Sequence, residues 1–190
     1  MKKGSLRHAF KFILIVTLIS IPLSGLFDTG TVFMDGIPWS IGVFIVIFIV
    51  LVGAFFDMIG VAAAAATETP FHAMGSKRIF GAKMAVKIVR NAEKVASICS
   101  DVIGDIASVL SGATALAVGQ QIGNSLGLHG WGAEGISIAI TVMATALTIG
   151  AKAFGKTVAV YFPTSIILFA SRVVERGLTV LPGRRRGTTR

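Results

Sequence analysis

Lysine and arginine are confined to three blocks of this chain. All 18 fall between Lys2 and Lys11, between Lys77 and Lys94, or between Lys152 and Arg190. The intervening stretches, 12–76 and 95–151, contain no basic residue and are mostly apolar. Basic blocks separated by long apolar runs are the positive-inside pattern of a multi-pass membrane protein. The same placement argues against reading the net charge of +9 as a footprint for nucleic acid. With 54% hydrophobic and 14% charged residues and a mean hydropathy of +0.81, the chain lacks the polar surface that a soluble domain needs. Its 190 residues suit one compact helical bundle. Cys99 is the single cysteine, so no disulfide framework is expected.

The apolar runs place the elements. Residues 12–27 follow a basic start and lack a small-residue cleavage site, which predicts an uncleaved first span kinked at Pro22. The loop 28–40 carries two acids and no base and should face outward, with Trp39 at the interface. A second span is expected over 41–66, a third over 98–118 and a fourth over 136–151. Between the second and third, residues 77–96 alternate with helical period. Phe80, Met84, Ile88, Ala92 and Val95 share one side, and Lys83, Lys87, Arg90 and Lys94 share the other. That pattern fits a helix on the cytoplasmic membrane surface, its basic face toward anionic headgroups, or a short helix packed on the bundle. The linker 119–135 is glycine-rich; Gly119, Gly123 and Gly127 form either a packing stripe or a flexible stretch. Residues 157–181, broken by Pro163, read as helices at the cytoplasmic interface. A fifth crossing would carry the basic tail 184–190 outside, against the charge rule.

Ionisable residues inside spans are costly and mark function by default. The candidates are Asp57 in the second span and Asp101 and Asp105 in the third. Asp101 and Asp105 are four residues apart and share a helix face with Ser97, Gly104, Ser108 and Gly112. Carboxylates, hydroxyls such as Ser100 and freed carbonyls are oxygen ligands, which suit hard cations such as Mg2+. The alternative is that the aspartates meet Lys152 or Lys156 as internal counter-ions and serve packing alone. No nucleophile–base constellation or phosphate-cradling loop is present, so an enzyme is not expected.

Three landmarks resemble the transmembrane domain of the cyclin-M (CNNM) and CorB/CorC magnesium transporters. They are residues 55–65 (FFDMIGVAAAA), residues 81–97 leading into 100–115 (SDVIGDIASVLSGATA), and residues 151–163 (AKAFGKTVAVYFP). The resemblance covers about 53–180. It implies a homodimer, a cytoplasmic belt of juxtamembrane helices and an ion site between the membrane helices. By position, Asp57, Asp101 and Asp105 would be metal ligands, with Ser100 assisting. The chain departs from the family at Gly60 and at Lys152, where glutamates are expected, and nothing in it resembles the family's cytosolic regulatory domains.

The resulting expectation is an all-α integral membrane protein. Residues 1–40 form the basic start, an extra first span and its loop; 41–181 form the transporter-like membrane domain; 182–190 form a basic cytoplasmic tail. The bundle has about four transmembrane helices and juxtamembrane amphipathic helices. It sits in the cell membrane with both termini cytoplasmic and handles Mg2+, or else is a non-transporting scaffold with an Asp–Lys pair in the ion's place.

Overall fold

The computed structural model describes residues 37–128 and 130–180 together with 10, 13–15, 17–22 and 24–25. Those earlier positions are helical. Much of the expected first span, most of its outer loop, and the basic start and tail lie outside the described residues.

Every regular element among the described residues is helical. Three helices are long and apolar enough to cross a membrane: α1 (Trp39–Ala65), the continuous helix Ala92–Ser125, and α6 (Trp131–Tyr161). The middle one is composite. It comprises α4 (Ala92–Ala96), a π-wound segment (Ser97–Gly104) and α5 (Asp105–Ser125). Shorter helices cluster at one end: α2 (Thr69–Ser76), α3 (Ala82–Arg90) and α7 (Pro163–Val180).

The breaks follow local chemistry. Pro70 enters α2 in its first turn, where its missing N–H costs nothing. Phe162 precedes Pro163 and leaves the helical region, at φ −127° and ψ 46°, which separates α6 from α7. Between α5 and α6 the turn needs two left-handed residues, Gly127 (φ 67°) and Gly130 (φ 63°).

The second expected span, 41–66, is the helix Trp39–Ala65, within two residues at either end. The third and fourth are each longer, because the glycine linker is helical to Ser125 and resumes at Trp131, and because α6 continues through Lys152 and Lys156. The expected helix 77–96 breaks at Asn91, and its second half joins the third span. Residues 157–161 complete α6, and α7 follows.

Two cores hold the bundle. In the middle of the bundle, Val46, Val50, Ala115 and Ala144 bring α1, α5 and α6 together. At the end with the short helices, Ala62, Ala63, Phe71, Ala85, Ala159 and Ile167 join α1, α6, α2, α3 and α7. Ile88, Val89 and Val95 pack on that second core. The apolar side of the amphipathic stretch is therefore turned to the protein, while Lys83, Lys87, Arg90 and Lys94 are exposed. Residues 82–90 and 92–96 are thus packed on the bundle by their apolar side, with the basic side outward.

The stripe Gly119, Gly123, Gly127 divides. A Cβ on Gly119 would lie 2.6 Å from Ser137 Cα, and one on Gly123 would lie 3.1 Å from Ala133 Cα. These two glycines let α5 and α6 touch backbone to backbone. Gly127 faces open space and serves the turn.

Candidate functional site: a charged cavity at one end of the bundle

The helix rise sets the depth of the charged residues. At about 1.5 Å per residue, about 27 Å separates Trp39 from Asp57, about 30 Å separates Ser125 from Asp105, and about 31 Å separates Trp131 from Lys152. All three thus lie one hydrocarbon thickness, about 30 Å, from the turn end of the bundle. Three residues from three helices are brought to one level.

There they line a cavity of about 470 Å³ with Asp101, Ser100, Lys156, Glu93 and Ser97. Asp57 is 2% exposed. Its Oδ2 lies 3.4 Å from Lys156 Nζ, yet that oxygen has no partner in hydrogen-bond geometry. Lys152 Nζ donates to Asp105 Oδ1 at 3.3 Å. The two pairs are unlike in burial. Lys156 and Asp105 have exposed side chains, at 53% and 71%, whereas Asp57 and Lys152 are at 3% and 17%. Each buried charge is met by an exposed partner.

The π-wound turn explains how one helix supplies so many of these groups. Glu93, Ser97, Asp101 and Asp105 recur every four residues. In an α-helix each such step drifts by about 40°, so the series would wind off its face. The wider winding over Ser97–Gly104 counters that drift. Across from it, α1 presents Gly60, where a Cβ would collide with Ser100 Oγ and lie 3.2 Å from Ala96 O. Ser100 Oγ in turn donates to the Asp57 carbonyl at 3.3 Å. A side chain at position 60, where the family resemblance expects glutamate, would press on Ser100 and on the Ala96 carbonyl.

The structure therefore brings Asp57, Ser100, Asp101 and Asp105 to one cavity, with Lys152 as the counter-ion of Asp105. Asp101 is exposed. No three His, Cys, Asp or Glu side chains converge as a metal cluster among the described residues. Glu93 was not singled out in the sequence; its signal was the four-residue ladder that it begins.

A second charged group stands just outside. Glu68 follows α1, and its Oε2 accepts from Arg90 Nε at 3.0 Å and pairs with His72 Nε2 at 3.1 Å. The hydrogen bond from Arg90, then that from His72, holds the Glu68 carboxyl below its ordinary value against a smaller opposing effect of desolvation. This clip ties α3 to the exit of α1.

No family model, curated protein or solved structure matches this chain. The resemblance to the cyclin-M and CorB/CorC domain rests on the sequence landmarks alone.

Proposed function

We propose that this is a multi-pass membrane protein that binds a divalent cation, Mg2+ foremost, in the charged cavity and passes it across the membrane. The observation that carries the reading is Asp57: a buried carboxylate with one oxygen lacking a hydrogen bond, on the wall of a water-accessible cavity. Four lining carboxylates, Asp57, Glu93, Asp101 and Asp105, outnumber two ammonium groups, so the cavity keeps a negative excess. Mg2+ sheds water reluctantly and needs only one or two carboxylates. Six waters occupy about 180 Å³ at liquid density, which the cavity accommodates. The sequence resemblance supports the same ion. It also supports a homodimer in the cell membrane, and the basic blocks support a cytoplasmic position for the charged end.

In this reading Lys152 and Lys156 are tethered cations. An incoming ion displaces them from Asp105 and Asp57, and they return when it leaves. The second reading takes the same two pairs as permanent: a scaffold or accessory subunit, neutralised internally and closed to ions. The pairs at 3.3 and 3.4 Å favour it specifically.

Calorimetric titration of the purified protein with Mg2+ separates the two. The transporter reading expects binding in the wild type, weakened about tenfold or more, ~1.4 kcal/mol, in both Asp57→Asn and Asp101→Asn. No heat of binding in the wild type would remove it and leave the scaffold.

A further inference from the structure

α7 carries two faces that its position at the charged end leaves in different company. Ile167 and Ser171 are fully buried, and Ala170 is buried beside them. At about 100° per residue, Phe169 lies about 160° around the helix from Ile167 and Ser171, and Val173 about 120° from Ile167 and about 160° from Ser171, with Ala170 at the flank. Phe169 and Val173 are 56% and 54% exposed. α7 is not among the helices able to cross a membrane, and Arg172, Glu175 and Arg176 interrupt it.

What the exposed apolar side meets is indicated by Phe55. That ring is on α1, a membrane-crossing helix, and is itself 40% exposed. Phe169 sits edge-to-face on it, with ring centroids 6.4 Å apart. The exposed side of α7 is thus continuous with the lipid-facing surface of α1. It is extended by the α2–α3 turn, where Ile79 and Phe80 are 37% and 47% exposed and the Phe80 carbonyl accepts from Arg172 Nε at 3.4 Å. α3, by contrast, shows Lys83 and Lys87 on its outer side.

We propose that α7 and the Ile79–Phe80 turn form an in-plane, membrane-inserted surface. Phe169, Val173 and Phe80 enter the acyl region of the same leaflet that surrounds the charged end. Arg172 stays at headgroup level through its aliphatic stem. The lysine face of α3 looks away into water. The layer of short helices therefore has a lipid side and a wet side, and the lipid side is not the basic helix that the sequence pattern points to. The inference rests on the membrane reading of α1 and α6.

Site-directed spin labelling tests it, because Cys99 is the single cysteine. In a Cys99→Ser background, Phe169→Cys, Val173→Cys and Phe80→Cys are labelled in vesicles of phosphatidylcholine and phosphatidylglycerol. Lys83→Cys and Lys87→Cys serve as wet references, and Phe48→Cys, on the exposed side of α1, as the lipid reference. The expected result is high oxygen and low nickel-chelate accessibility at positions 169, 173 and 80, as at 48, and the reverse at 83 and 87. Nickel accessibility at 169 and 173 equal to that at 83, with 48 still in lipid, overturns the proposal and spares the membrane reading. Nickel accessibility at 48 overturns both. Wild-type protein labelled with a membrane-soluble carbene probe gives a readout free of substitutions: adducts on the peptide around Phe169 are expected, and their absence beside labelled α1 peptides overturns the proposal.

Discussion

The two ends of the bundle solve opposite problems with the same three helices. At the turn end, α5 and α6 meet backbone to backbone through Gly119 and Gly123 against Ser137 and Ala133. At the charged end, the contact between α1, the π-wound segment and α6 is interrupted by a cavity, and the walls are held by Asp57–Lys156 and Asp105–Lys152. Just above the cavity, Ser111 and Thr148 share a hydroxyl hydrogen bond of 3.3 Å. One end is closed by shape, which tolerates no change in volume. The other is closed by charge, which yields to competing charge. A bundle built this way keeps one end fixed and leaves the other open to chemistry.

The largest expected effect breaks the charged end. Lys156→Ala leaves the buried Asp57 carboxylate without its cation, at a cost of about 3 kcal/mol. Lys152→Ala leaves only the exposed Asp105 and should cost under about 1 kcal/mol. The asymmetry reverses for the acids: Asp105→Ala strands the more buried Lys152 and should cost more than Lys152→Ala. Thermal unfolding in detergent measures all three. Added Mg2+ sharpens the comparison. Recovery of the Lys156→Ala variant by Mg2+ shows that the cavity accepts an ion in place of the ammonium; no recovery favours the scaffold.

The turn end should break by volume alone. Gly119→Val places a branched side chain against the Ser137 backbone, and the expected loss is about 2–3 kcal/mol, independent of salt and of Mg2+. Gly112→Ala, on the same helix but facing open space, should be neutral or stabilising by up to about 1 kcal/mol. Equal effects at 112 and 119 in the unfolding temperature would show that the seam is not a close packing.

The sequence carried the long apolar helices and the charged positions because both are one-dimensional signals. The second span needed only apolar length. Asp101 and Asp105 needed only their spacing, and the counter-ion role of Lys152 followed from two acids in an apolar run lacking a partner. The bounds of the third and fourth spans were not legible. Glycine and amide residues in 119–125 read as linker, yet they are small enough to let α5 continue along α6. Nor was the break at Asn91, since Lys87, Arg90 and Lys94 keep an unbroken helical period across it. The face that residues 77–96 bury depends on α2 and α7, elements distant in sequence. The π winding, which puts Glu93 and Asp105 on one wall, has no compositional mark at all.

The smallest effect concerns the clip beside the charged end. Glu68 has a folded carboxyl value held below its ordinary 4.5 by Arg90 and then His72. Its contribution is therefore fully present above the ordinary glutamate range and is lost as pH falls through the lowered folded value. The pair is solvent-exposed, so the loss is local and weak: α3 loosens from the exit of α1 while the bundle persists. Hydrogen exchange followed from neutral to acid pH should show protection in Ala82–Arg90 falling first. Glu68→Gln should show that weaker protection already at neutral pH, with a flatter dependence. The glycine seam at the turn end is held by the backbone approach at Gly119 and Gly123 and should stay protected over the same range. If both ends lost protection together, the division into a fixed end and a yielding end would fail at its weakest joint.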